Sequence, residues 1–465
     1  MSTRYIVLLY ILGFSWLTVS GQAFQSGQSV NPQERLLSVN GFMRGAFYYD
    51  LNNYANEPYF SSGFSDFGLM VETIEGGKFR GYADLRFRYG SEFNRSVSYF
   101  TVREAYADYS LKFLTFSAGK KIIKWGRADF TNPTSRLNPV DMTARSTDRE
   151  DMDMGNLLAE VILTPLKSVK LEAVLIPYYK SSVLLIDPFP LPENVTINQD
   201  KQLVTDKKMV SYGLKSDFYL RGVDFSLSWF DGYDPTPGIQ LTMFDLDMSG
   251  TVPATTTILT MTPYKTRAAG IDFETVIGLA GFRGEAAWSK PYLSSDTYEY
   301  VPLQEIKWAL GLDFSAGNLR FTGEYSGKTI PGFKTTDAAP IFGTEPDLEL
   351  LAQLMMIPGF DLNEYVRTQV EAFNRQYNYQ LEQWYHSVGA RFEADISYGR
   401  INPSLFALYN ITSGDLIIIP EIRFKPYDGV TISLGADIYT GREGSLFDLI
   451  DEFMTSAYAG IKIEF

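Results

Sequence analysis

One stretch gathers most of the residues that could act on a small solute. Lys120 to Asp141 reads KKIIKWGRADFTNPTSRLNPVD, with Lys124, Arg127, Asp129, Arg136 and Asp141 spaced along it. Its two Asn-Pro steps, Asn132-Pro133 and Asn138-Pro139, favour turns and restrict the residue before each proline. A compact, stiff loop follows, and a stiff loop can hold charges at fixed points. Charges so held are the chemistry of a filter, as in charged rings that line pores. Two readings are open: the loop folds inward as a constriction, or it caps the outside with its charges paired among themselves. Catalytic chemistry is poorly provided for. The single histidine, His386, lies beside Trp384 and Tyr385 on the parity of Val388 and Ala390, which suits an interfacial residue. A catalytic histidine needs a nucleophile and an orienting partner, and no such pattern accompanies it. With one histidine and no cysteine, neither a transition-metal site nor a disulfide is expected, and no cofactor motif is present.

Those charges need elements to carry them, and the pattern repeats throughout the chain. Phe79, Gly81, Ala83, Leu85, Phe87 and Tyr89 alternate with Arg80, Tyr82, Asp84, Arg86 and Arg88. A period of two is a strand with two unlike faces. A dry core would not hold such a ladder of charge, whereas an aqueous lumen holds it without a desolvation cost. The alternation recurs at Val223 to Trp229, Ile306 to Phe314, Ser387 to Ile396 and Val430 to Tyr439. The last strand alternates Ala459, Ile461, Ile463 and Phe465 with Gly460, Lys462 and Glu464. It would be an exposed edge unless it paired with a first strand, Leu37 to Tyr49, and closed a barrel. A final strand ending on an aromatic residue resembles the assembly signal of bacterial outer-membrane barrels, so Phe465 would engage the barrel-assembly machinery.

The fold expected is all-β: a transmembrane antiparallel up-and-down β-barrel of 18 strands, with 16 as the second choice. Short turns alternate with long connections near 51–63, 91–100, 125–156, 180–208, 234–262, 293–302, 329–384 and 441–453. Only 344–384 reads as strongly helical, which gives the barrel a helical extracellular loop. Asp361 and Glu364 form a capping pair, and Leu362, Val366, Val370 and Phe373 lie on one stripe. These four are the lid residues, either covering or plugging the mouth, or packed passively on neighbouring loops. Apolar residues at Val183 to Leu191 and Leu350 to Met356 could line a greasy entrance.

Composition agrees with this. Residues 1–23 have the basic start, short apolar core and small residues of a signal peptide, and 24–36 form a polar periplasmic lead-in before a barrel over 37–465. Aromatic residues make up 15% of the chain, an excess that girdles at the two membrane interfaces would absorb. The formal charge of −14 argues against a nucleic-acid partner.

The Trp125-Gly126 strand end, the paired Asn-Pro steps and the trailing Asp141 resemble a poorly characterised family of Gram-negative outer-membrane barrels. Genes of that family often accompany exporters of the resistance-nodulation-division type. The resemblance covers residues 113–180. It implies integral residence in the bacterial outer membrane among its lipids and lipopolysaccharide, and a periplasmic or exporter partner. It implies no particular substrate. The reading is a porin-like passive channel for small solutes, filtered by inward-folded loops, and not an enzyme. The residues expected at its pore or constriction are Arg80, Arg86, Arg88, Glu104, Lys124, Arg127, Asp129, Arg136 and Asp141, with modest anion preference. A channel for hydrophobic or lipid-like solutes is the nearest alternative. A barrel enzyme or an adhesin is the alternative of a different class.

Overall fold

The structure, a computed structural model, describes residues 37–51, 60–73, 77–185, 194–199, 208–247, 254–336, 338–340 and 353–465. The expected signal peptide and lead-in lie outside these residues. Two units are distinguished: Met1–Ser38, almost all outside the described residues, and Val39–Phe465, which holds the barrel.

The strands in order are β1 (Leu37–Asp50), β2 (Phe60–Thr73), β3 (Phe79–Glu92), β4 (Arg95–Ser110), β5 (Leu114–Lys121), β6 (Asn156–Leu166) and β7 (Val169–Ile176). Then come β8 (Val195–Asn198), β9 (Ser211–Leu220), β10 (Val223–Tyr233), β11 (Gly238–Asp247), β12 (Ala254–Thr262), β13 (Lys265–Ile277) and β14 (Ala280–Pro291). The last are β15 (Glu305–Ala316), β16 (Leu319–Thr329), β17 (Trp384–Ala394), β18 (Ile401–Asn410), β19 (Leu416–Tyr427), β20 (Val430–Thr440) and β21 (Ser456–Glu464). Helices α1 (Leu362–Tyr377) and α2 (Leu446–Met454) interrupt the two latest long connections.

Eighteen strands form one sheet in which each pairs antiparallel with the next, leaving out β8, β11 and β12. β21 returns to β1 with Tyr48 opposite Tyr458 and Phe42 opposite Glu464, so the sheet is closed. Gly41 and Phe465 exchange both backbone hydrogen bonds, at 2.9 and 3.0 Å. Closure leaves the 18-stranded sheet without an edge strand, which is the condition for β-structure in hydrocarbon. The fold is therefore that of an integral outer-membrane barrel.

The two faces separate as the alternation requires. Phe47, Phe87, Leu214, Leu227, Ile271, Leu310, Val388, Leu434 and Ile461 are exposed on the outward face, which only lipid would cover favourably. On β3, Asp84 and Arg88 are buried while Phe79, Phe87 and Tyr89 are exposed. A slip of one residue would put such arginines in lipid at about 2–4 kcal/mol each near the midplane. His386 lies between Trp384, whose ring is parallel within 2°, and Tyr325, whose hydroxyl stands 2.8 Å from His386 Nδ1. This outward aromatic group is the interfacial setting expected of it.

Three expectations need correction. The connection near 91–100 is a tight turn: Phe93 and Asn94 both have positive φ and join β3 to β4 as a two-residue hairpin. The 234–262 connection is no plain loop; β11 and β12 pair there, and β8 joins β12 in parallel to make a separate three-stranded sheet. The helical content is not confined to 344–384, because α2 forms within 441–453 and one residue beyond, capped by Ser445 Oγ on Asp448 N. Nine residues give too short a stripe to stand out without the packing that stabilises it. The first part of the expected helical stretch, 344–352, lies outside the described residues, as do Ile186, Phe189 and Leu191.

Candidate functional site

The connection between β5 and β6, residues 122–155, meets the inward side chains of strands around the barrel. Its first anchor is Trp125, which lies in the connection and not at a strand end as expected, because β5 stops at Lys121. The indole packs with Ile123, Leu137, Leu158, Val174 and Phe230, and Nε1 donates to Glu172 Oε1 at 2.7 Å. Gly213 on β9 makes room, since a Cβ there would stand 2.6 Å from the indole. The chain turns at Gly126, whose φ of +90° suits glycine and whose absent side chain lets the backbone approach Glu285.

Two wall carboxylates then hold the backbone. Glu285 of β14 accepts from the amides of Arg127 at 3.0 Å, Ala128 at 3.2 Å and Thr134 at 2.6 Å. Glu324 of β16 accepts from Asp129 and Phe130 at 2.9 Å and from Thr131 at 2.8 Å. This backbone has no sheet partner, and buried amides left unpaired would be costly. Ionised acceptors satisfy them with bonds stronger than neutral ones. Beyond Glu324, the Phe130 ring meets Phe406 of β18 edge-on at 5.0 Å, under the Arg391 guanidinium of β17.

The charged side chains go to the wall as well. Arg127 pairs with Asp272 at 2.6 Å and Glu274 at 3.1 Å, both on β13. Asp129 pairs with Arg283 of β14, which also holds Asp313 at 2.6 Å. Arg136 pairs with Asp234 at 2.7 Å and Glu305 at 3.5 Å, and donates to Ser289 at 3.0 Å. Burial alone would lower the Arg136 pKa; the two carboxylates outweigh it and hold it above the ordinary value. For Asp129, burial raises the pKa and Arg283 opposes the rise without cancelling it. Farther along, Asp151 meets Arg44 of β1 at 2.6 Å, Asp148 meets Lys462 of β21 at 3.0 Å, and Arg149 meets Asp437 of β20 at 2.5 Å. Burial would raise the Asp151 pKa, and the Arg44 guanidinium, the Ser146 hydroxyl and Arg86 together more than reverse that.

The nine residues expected at a pore do not form one cluster. Arg127, Asp129 and Arg136 meet the β13 to β16 wall. Lys124 stays within the segment, pairing with Asp153 at 3.2 Å and Glu150 at 3.6 Å. Asp141 also stays local, accepting from the Thr143 amide and hydroxyl. Glu104 accepts from the Ile122 amide at 2.8 Å, where the segment leaves β5. Arg88 links Asp66, Glu92 and the Arg145 carbonyl. Arg86 pairs with Asp84 at 2.5 Å. Arg80 pairs with Glu72 at 2.6 Å and Asp108 at 3.8 Å, away from the segment. The local positive charge expected of Arg127 and Arg136 is thus balanced by acids of the wall. Glu285, Glu324, Asp272, Glu305 and Arg44 are not among the residues to which the sequence points. Strand parity could have found them, because Arg283 and Glu285 share the inward face of β14.

The lid residues follow another logic. Asp361 caps α1 by accepting from Asn363 N and Glu364 N. Leu362 is half-buried; Val366, Val370 and Phe373 are buried. Val370 and Phe373 pack with Leu184, Ile239, Leu259 and Met261, which include residues of β11 and β12. Asn374 fastens the contact through both Ile239 backbone groups and the Glu299 carbonyl. Between these elements and the wall lies a cavity of about 730 Å³, lined by Arg136, Lys307, Phe373 and Ile450 among others.

Comparison with known proteins places this architecture. A family described as "Protein of unknown function (DUF1302)" matches residues 25–152. No curated protein matches. The chain is similar in fold to the crystal structure of Pseudomonas aeruginosa OccK9 (OpdG), at a TM-score of 0.51 and 6% identity over 92% of this chain and 97% of that one. It is similar to Pseudomonas aeruginosa OpdK at 0.51 and 8%, over 92% and 98%. Acinetobacter baumannii OccAB2 gives 0.50 and 9%, over 92% and 98%. At such identities the likeness is one of fold.

Proposed function

We propose that the chain is an outer-membrane channel through which small solutes pass passively, and that residues 122–155 narrow its lumen. One observation carries this reading: the segment's backbone is held by Glu285 and Glu324, two buried inward carboxylates of a closed transmembrane barrel. A segment held in this way is a fixed obstacle, and a fixed polar obstacle filters by size and charge. Arg127, Asp129 and Arg136 would set the field at the narrowing, with their wall partners. Helix α1 covers the route from outside as a packed lid. The shared fold with OccK9 and OpdK supports a barrel of porin type. Assembly through the terminal Phe465, and residence among outer-membrane lipids, belong to the same reading.

The test is conductance in planar bilayers together with a panel of solutes in proteoliposomes covering sugars, organic anions and long-chain lipids. Discrete conductance and uptake of small polar solutes are expected. Selectivity should be modest, because the arginines are paired; Arg127→Gln uncovers Asp272 and Glu274 and should move the reversal potential toward cation preference, more at low salt where screening is weaker. A protein that inserts normally yet conducts nothing would overturn the reading.

A further inference from the structure

The cavity of about 730 Å³ is bounded below by Thr131 to Arg136 of the inward segment and at the side by the ends of β15 and β16. α1 contributes Phe373 and Tyr377 to it, and α2 contributes Leu446, Phe447, Ile450 and Met454. Pockets for small molecules have volumes of about 300–1,000 Å³, with mostly apolar walls and a few placed polar groups. This one has that division. Leu184, Ile239, Phe373, Tyr377, Leu446 and Ile450 are apolar residues of its lining, and Arg136, Lys307 and Lys328 are its basic ones.

The free polar capacity of its charged groups is one-sided. Both oxygens of Glu305 are taken, Oε1 by Lys307 at 2.6 Å and Arg136, Oε2 by Lys328 at 2.9 Å and Gln380 at 3.2 Å. Both oxygens of Asp234 are taken, by Arg136 and by the Thr236 amide. Both oxygens of Asp415 are taken, by the Phe447 amide and by Ser413. Every carboxylate oxygen of these three acids therefore already accepts at least one hydrogen bond, and those of Glu305 accept two each. Donors remain. The Lys307 ammonium has three N–H groups, its ion pair is with Glu305, and its side chain is 32% exposed. The buried Nε of Arg136 has no hydrogen-bond partner. A head group that only accepts hydrogen bonds matches such donors, and an ionised carboxylate is that kind of group.

We infer that this cavity binds an amphiphilic monoanion, with its carboxylate-type head at Lys307 and Arg136 and its apolar body against α1 and α2. The inference deepens the channel reading by naming a solute class held above the narrowing, and binding can be measured apart from conduction. Lys307 fixes the head by charge, with the Arg136 guanidinium adding positive charge beside it. The helices supply apolar surface that a sugar-sized polar solute would leave dry and unpaired.

The experiment is calorimetric titration of the full barrel in amphipol with octanoate, 1-octanol and octylammonium, which share a chain and differ in head. Octanoate should bind at least tenfold more tightly than either of the others. Lys307→Gln should remove most of that preference and leave octanol unchanged. Ile450→Trp, which adds bulk to the apolar lining, should abolish binding of all three and so gives the background from the amphipol belt. Equal affinity for octanoate and octanol would overturn the inference, as would octanoate binding that survives Ile450→Trp. Heat-modifiable migration of each variant in detergent gels separates loss of binding from loss of fold. A barrel that conducts but does not prefer octanoate keeps the channel reading and loses this site; one that binds octanoate but never conducts keeps the site and loses the channel.

Discussion

Two insertions between barrel strands, residues 122–155 and the α1 connection, are anchored in opposite ways. The first is tied by charge at points spread around the wall, from Asp151 on Arg44 of β1 to Arg127 on Asp272 of β13. The second is tied chiefly by one apolar stripe, packed on one small sheet and on Leu184, with Val370 fully buried at its centre and Asn374 hydrogen-bonded beside it. Ion pairs and amide-to-carboxylate bonds are directional, so many of them fix a position and a register. Apolar burial is non-directional and holds a body without defining a single pose. A segment proposed to set a pore's width needs the first kind of anchor; a cover needs only the second.

Changes aimed at each anchor sharpen the contrast. The largest effect is expected from Glu285→Ala with Glu324→Ala, which strips the acceptors from three amides each. Hydrogen bonds to charged groups contribute about 1.5–3 kcal/mol each, so the segment should lose several kcal/mol of anchoring. Single-channel conductance and open-state noise should rise severalfold while resistance of the barrel to unfolding in detergent stays close to wild type. Unchanged conductance in a folded double variant would mean that the segment is no obstacle.

Phe373→Ala comes next, at about 3–5 kcal/mol for loss of a buried aromatic ring. That loss should appear as faster hydrogen exchange and protease cleavage in α1, with exchange in 122–155 unaltered away from Met142, which packs against the same cluster. If both regions loosen together, they are one body and the contrast fails.

A smaller effect is expected from acid. The folded pKa of Asp151 is depressed, so its contribution is complete above its ordinary value of about 3.9 and is lost as pH falls through the folded value. Current noise should therefore increase only in that acid window, and Asp151→Asn should produce the same noise at neutral pH. The smallest effect belongs to Arg80→Gln. Arg80 is partly exposed, and its partners Glu72 and Asp108 lie away from the segment, so it should change stability by no more than about 1 kcal/mol and leave conductance as it was.

Alternation along the chain was enough to indicate a closed barrel, with 18 strands preferred over 16, the pairing of its first and last strands and the inward direction of Arg86 and Arg88. The reason is that period two and strand length are local, and each is repeated throughout. The capping pair at Asp361 and the stripe through Val366, Val370 and Phe373 were legible for the same reason. The hairpin at Phe93-Asn94 was not, because neither residue is a glycine and positive φ there depends on the strands it joins. Nor was the pairing of β8 with β12, since contact between distant segments leaves no local period. The charged residues of 120–141 stood out in the sequence, but their partners did not. Arg127 and Asp272 are separated by 145 residues of chain, and Arg136 and Asp234 by 98. Only closure of the barrel brings such pairs within reach, and so only the tertiary structure decided that the arginines are neutralised by the wall and that Glu285 and Glu324 hold the segment's backbone.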